Sequence, residues 1–204
     1  MTWCEFFGRM SEMKIYVGGA NAVGKSTILK ATANTLGIPY YHGTTLFLKH
    51  LGFDGNYEKL RALTQEQRND KLDEFLDIFI REQEGKSFLF DSHYLNIVRG
   101  ETNKVSRPWL KDFDILVLVT APAEDVWQRI TTDSSVRDRA LFPKDISEKE
   151  AKEMLQKYLQ DTKEEFTRLT KLYNKPSVEI INIQNRIDEA VDRLVDFIKK
   201  RTAR

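Results

Sequence analysis

Gly19-Ala20-Asn21-Ala22-Val23-Gly24-Lys25-Ser26 is the stretch that decides how this chain is read. It fits the pattern G-x-x-x-x-G-K-[ST]. The glycines let the backbone turn tightly and aim successive N–H groups inward, which suits phosphate oxygens. Lys25 supplies a point charge for the β- and γ-phosphates, and Ser26 a hydroxyl for Mg²⁺. Just upstream, Lys14-Ile15-Tyr16-Val17 is a short apolar run that predicts a buried strand. Just downstream, Ile28, Leu29, Ala31, Ala33 and Leu36 predict a helix over 26–36, with Gly37 at its C-cap. A strand, a phosphate-binding loop (P-loop) and a helix in this order give the motif its meaning, because the helix N-terminus also faces the phosphates. The bland alternative, a glycine-rich turn without a ligand, is weighed down by both flanks. Gly19, Ala20, Asn21, Ala22, Val23, Gly24, Lys25, Ser26 and Thr27 are therefore the candidate nucleotide-binding residues.

Further strands follow at helical intervals. Ile38-Pro39-Tyr40-Tyr41 predicts a short strand near a sheet edge, since proline weakens a central one. Ser87 to Asp91 predicts a third strand ending in an acid. Asp114 to Thr120 is a continuous apolar run, the pattern of a strand buried on both faces of a parallel sheet. Val178 to Ile183 predicts the last. Between them, residues 43–84 read as mostly helical, with a capping box at Thr64 and Gln67. Pro122 suits the first turn of another helix. A second capping box at Ser147 and Glu150 opens a long helix to about Tyr173, and Ile187 to Ile198 carry the stripe of a terminal helix. Strands alternating with helices predict an α/β three-layer P-loop NTPase fold with a five-stranded parallel sheet. Asp91, at the carboxyl end of its strand, is a candidate Mg²⁺ ligand beside Ser26; a strand-terminal cap is its plain alternative.

The 204 residues suit one domain. We expect a flexible tail over 1–12 and a single domain over 13–204. Lysine plus arginine number 32 and aspartate plus glutamate 31, for a net charge of +1, which argues weakly against a nucleic-acid coat. No apolar run approaches a membrane span. The single cysteine, Cys4, excludes an intrachain disulfide and favours a reducing, cytoplasmic setting. Glu5 and Arg9 interrupt any secretory core in the first twelve residues.

Several stretches, in order, resemble the archaeal-type adenylate kinases, within the nucleoside monophosphate kinases. They are Lys14 to Thr27; Tyr41-His42-Gly43-Thr44; Glu58-Lys59-Leu60-Arg61-Ala62-Leu63, similar to a D-E-M-R-K-L segment; Asp91-Ser92-His93, similar to D-T-H; and Asp114–Thr120 through Arg129 and Asp133 to Arg137-Asp138-Arg139, similar to a strand, helix and R-x-R. The resemblance implies a short lid at about 131–148 and an acceptor-binding helical region at about 42–84. It also implies ATP and Mg²⁺ as donor and cofactor, and a nucleoside monophosphate, AMP first, as acceptor. It assigns Arg61, with Gly43 and His93, to the acceptor, and Lys25, Arg129, Arg137 and Arg139 to the transferred group. Each has a plainer reading: a helix-surface charge for Arg61, a solvated loop for Arg137 and Arg139, a structural hydrogen bond for His93. Arg99 and Arg107 follow Asp91-Ser92-His93, where either can reach phosphate, but a surface role is the expectation for both. After Asp91-Ser92-His93 the sequence departs from the family: Tyr94 to Gly100, then a polar run to Trp109, replace a Gly-, Leu- and Pro-rich segment. Arg168 matches a family arginine loosely, and Gln184-Asn185 falls where the donor adenine would be covered. Two rivals stay open: a P-loop kinase for another small acceptor, and an ATP-binding module or slow ATPase acting on a protein or RNA complex. Small-molecule nucleotides are the expected partners; the oligomeric state is not legible.

Overall fold

The apolar runs become strands whose alternate side chains enter two separate cores. The structure is a computed structural model and describes residues 12–98, 101–103, 107–133, 141–143 and 145–202. The strands are β1 (Lys14–Gly18), β2 (Tyr40–His42), β3 (Phe88–Asp91), β4 (Asn96–Val98), β5 (Glu101–Asn103), β6 (Ile115–Thr120) and β7 (Ser177–Ile181). The helices are α1 (Lys25–Leu36), α2 (Gly43–His50), α3 (Tyr57–Ala62), α4 (Gln65–Glu82), α5 (Ala123–Asp133), α6 (Glu148–Tyr173) and α7 (Ile187–Thr202). A 3-10 turn spans Pro108–Asp112.

Five strands form a parallel sheet in the order β2-β3-β1-β6-β7. Successive strand residues face opposite ways, so Ile15, Val17, Leu89, Ile115, Val117 and Val119 enter an aliphatic core beneath α1 and α7. Tyr16, Phe88, Phe90, Leu116 and Leu118 enter the other, aromatic core, against Phe75, Leu76 and Phe79 of α4 and Phe166 and Leu169 of α6. This is the three-layer arrangement expected from the sequence. β2 lies at the edge, as Pro39 predicts.

Both predicted capping boxes are present, at Thr64/Gln67 and Ser147/Glu150. Gly37 caps α1 in the left-handed conformation, at φ 65°. The region after β2 divides into α2, α3 and α4. One element escaped the sequence reading: β4 and β5 form an antiparallel hairpin within the segment that departs from the family pattern. Strands of three residues are too short for a two-residue period to show. Among the described residues no helix is long and apolar enough to cross a membrane.

Candidate active site

Parallel pairing sets three strand ends level. Val17 of β1 and His42 of β2 both pair with Asp91 of β3. Their carboxyl ends therefore open on one crevice, where β1 sits between β3 and β6 and the chain direction of winding changes. The P-loop leaves β1 into this crevice. Gly24 precedes α1 at φ 89°, a conformation that disfavours any side chain. Lys25 is buried at 7% exposure and its Nζ donates to the carbonyls of Gly19 and Ala20, both at 3.0 Å. The ammonium thus lies over the loop it is expected to serve.

Asp91 meets Ser26 at the start of α1. Ser26 Oγ donates to Asp91 Oδ2 at 2.8 Å, and Tyr40 Oη donates to the same oxygen at 2.9 Å. Burial, and then the Asp91 charge, push the Tyr40 phenol above its usual range, so it remains a donor. A hydroxyl and a carboxylate side by side are hard oxygen donors of the kind Mg²⁺ takes. Among the described residues no group of three or more His, Cys, Asp or Glu gathers to hold a metal. The Ser26 and Asp91 oxygens are a donor set that fits a Mg²⁺ carried in on phosphates.

His93 Nδ1 lies 2.9 Å from the Gly19 carbonyl. A carbonyl can only accept, so this nitrogen carries the proton. Burial first, and then the Lys25 charge, hold the imidazole well below its usual range, and it is neutral. The His93 carbonyl in turn accepts from Tyr16 Oη at 2.8 Å. His93 lines the cleft, but its Nδ1 is committed to holding the loop.

The cleft encloses about 1530 Å³ and runs from the P-loop to α3 and α4. Arg61 and Gly43 both line it. Arg61 pairs with Glu58 one turn earlier. Gly43 opens α2, and a Cβ there would press at 2.8 Å on the Asp91 carbonyl and the Phe90 ring. Gln65, Arg68, Asn69 and Arg107 also line the cleft. Arg107 corrects an expectation: it is not a surface residue but 3% exposed, with Nη2 donating to the Tyr94 carbonyl at 3.0 Å. Its place after Asp91-Ser92-His93 marks it as able to reach phosphate, but an arginine after a polar run carries no period that shows its burial.

Arg129 of α5 reaches the loop, with Nη1 donating to the Ala22 carbonyl at 3.3 Å and Nη2 3.9 Å from Asp125. Arg137 and Arg139 lie outside the described residues, as does Arg99. At the far end of the expected lid, Leu141 is buried and lines the cleft, and Phe142 packs 6.3 Å from Trp127. Arg168 forms a bidentate pair with Glu165 at 2.8 and 2.7 Å and does not line the cleft. Gln184 N donates to Asp125 Oδ2 at 3.0 Å, which ties the loop after β7 to α5. Asn182 was missed by the sequence reading. It is buried, and its Nδ2 donates to the Val23 carbonyl at 2.8 Å, latching the P-loop from β7.

A family model described as an AAA domain matches residues 18–148. No curated protein matches the chain. Among solved structures, shikimate kinase from Bacteroides thetaiotaomicron superposes with a TM-score of 0.64 at 13% identity, covering 93% of this chain and 99% of that one. A gluconokinase from Sinorhizobium meliloti 1021 gives 0.58 at 14% identity, with 96% of each chain covered. Shikimate kinase from Acinetobacter baumannii in complex with shikimate gives 0.60 at 14% identity, with 97% of each covered. At such identities the likeness carries the fold, and that fold is the P-loop α/β one expected from the sequence.

Proposed function

The chain belongs to this AAA-domain family, and from that premise we propose that it transfers the γ-phosphoryl group of ATP to a nucleoside monophosphate, with AMP the leading acceptor. The observation that carries the reading is a single cleft joining a P-loop, with its Ser26–Asp91 pair, to an arginine-lined wall on α3 and α4. Its 1530 Å³ exceeds the roughly 300–1,000 Å³ of a site for one small ligand, so donor and acceptor fit together.

The loop N–H groups and Lys25 would hold the triphosphate and stabilise the charge that spreads over the transferred group. Ser26 and Asp91 would hold Mg²⁺, which supplies charge neutralisation at the phosphate oxygens when bound. Arg61 would orient the acceptor phosphate. Arg129 would steady the loop beneath the donor, and Arg137 and Arg139 would close over the transferred group and exclude water. No side-chain base is required, since an acceptor phosphate is already a competent nucleophile.

A second reading, a kinase for another small acceptor, is favoured by one feature. The β4–β5 hairpin stands where the sequence departs from the adenylate kinases, and its Ile97 puts an apolar side chain on the cleft wall. The structural neighbours named for shikimate and gluconate make these acids natural members of an acceptor panel. The test is ADP formation from ATP and Mg²⁺ with AMP, other nucleotides, shikimate and gluconate. Turnover with AMP supports the proposal. Turnover with another acceptor and none with AMP replaces it with the second reading. Acceptor-independent hydrolysis alone refutes both.

A further inference from the structure

We propose that Arg107 is the anchor for the acceptor's anionic group, a phosphate or a carboxylate. The inference deepens the reading of the cleft as a phosphotransfer site and rests on it.

Arg107 is 3% exposed and faces the cleft. Its guanidinium offers five donors. One hydrogen bond, Nη2 to the Tyr94 carbonyl, is present at 3.0 Å, and the group lies 5.7 Å over the Trp109 ring. Nε is buried and has no acceptor. Among the described residues no carboxylate forms an ion pair with it; Asp73, on the neighbouring helix, accepts from Trp109 Nε1 at 2.9 Å and feels the Arg107 charge without contacting it. A buried, permanently charged group with no carboxylate in contact is unfavourable unless something else justifies it.

A purely structural role does not justify it. The backbone at this position is held independently, with the Arg107 carbonyl accepting from Tyr173 Oη at 2.9 Å and from Leu110 N at 3.0 Å. A second guanidinium on the same wall repeats the pattern. Arg68 of α4 has a buried Nε without an acceptor and donates from Nη2 to Gln65 Oε1 at 3.1 Å. Arg61 of α3 completes a cationic wall in a chain whose net charge is only +1. Lys25, Ser26 and Arg107 line the same cleft, so an anion on Arg107 would share that cleft with the donor phosphates. The P-loop has its own donors for the triphosphate, which leaves Arg107 for the acceptor. The planar guanidinium fork suits both phosphate and carboxylate oxygens.

The test uses the full chain and the variants Arg107→Met and Arg107→Lys, with the triphosphate site filled by a non-hydrolysable ATP analogue and Mg²⁺. Inorganic phosphate, AMP and shikimate are then titrated, with melting temperature as the readout. Ligand-free Arg107→Met should melt at or above the parent temperature, since it replaces a buried charge that no carboxylate contacts with an apolar chain of similar length. Its apparent affinity for phosphate should fall at least tenfold, with Arg107→Lys between the two. If Arg107→Met melts lower yet binds phosphate as the parent does, or if the parent shows no phosphate-dependent stabilisation, the inference is overturned. Should Arg107→Met fail to fold, Arg107→Lys decides: unchanged phosphate affinity overturns the inference and a loss supports it. The AMP and shikimate arms separate this from the wider reading. Arg107-dependent phosphate or shikimate binding without AMP binding sinks AMP as acceptor and supports the anchor. AMP turnover with the same KM in Arg107→Met keeps the reading and overturns the anchor.

Discussion

Gly24→Ala should couple to Asn182, although 158 positions separate them in the sequence. Gly24 sits at φ 89°, ψ 18°. An L-residue there costs about 1–2 kcal/mol. A Cβ on Gly24 would also overlap the Asn182 amide nitrogen, while Asn182 Cγ and Arg129 Nη1 would stand clear at 3.5 and 3.6 Å. The amide must therefore swing away and surrender its 2.8 Å bond to the Val23 carbonyl. Losing a buried hydrogen bond and stranding its partner costs roughly 1–3 kcal/mol. Gly24→Ala should thus destabilise by roughly 2–5 kcal/mol, and Asn182→Ala alone by roughly 1–3 kcal/mol. In the double variant the bond can be lost only once, so the total stays at roughly 2–5 kcal/mol. The two changes should be non-additive by about 1–3 kcal/mol. Urea denaturation of the parent, both single variants and the double variant reads this cycle directly. Costs that simply add, within about 0.5 kcal/mol, would refute the steric latch between β7 and the P-loop.

Three further outcomes are expected. Lys25→Ala should lower phosphoryl transfer at least about 10²-fold while leaving the urea midpoint close to the parent's; near-normal turnover would remove Lys25 from the chemistry. Arg61→Ala should raise the acceptor KM about tenfold or more and leave the ATP KM unchanged, since Arg61 lines the α3 wall and not the P-loop. For His93, burial and then the Lys25 charge hold the folded-state imidazole well below 6.5. The unfolded chain therefore takes up a proton that the folded chain refuses, and stability falls as pH drops below about 6.5. His93→Asn should flatten that acid limb in denaturation series at pH 7.5, 6.5 and 5.5; an identical limb in the variant would contradict the neutral imidazole.

Much of the molecule was legible because local rules decide it. The strand, loop and helix around Gly19–Ser26 are one continuous segment. Their conformations follow from apolar alternation, glycine geometry and a C-capping glycine within 24 residues, 14 to 37. Capping boxes at Thr64 and Ser147 close within four residues, so they too could be read directly. That Asp91 falls close to the P-loop is legible, because an acid ending a strand beside it lies at the same carboxyl end of the sheet; its hydrogen bond with Ser26 is not.

What only the tertiary structure decided depends on partners far away in sequence. Tyr40 was read as part of an edge strand, and only the β2–β3 register brings its hydroxyl to Asp91. Asn182 reads as part of the last strand, Val178 to Ile183, yet that strand ends at Ile181 and Asn182 turns to meet Val23. Arg107 read as a surface cation in a polar run. The ring of Trp109 and the tyrosines Tyr94 and Tyr173 close around it once α6 packs on the sheet. Periodicity and motif record the conformation a segment prefers by itself. They carry no trace of which buried donor will meet which distant acceptor, because that is settled by the packing of the two cores on either side of the sheet.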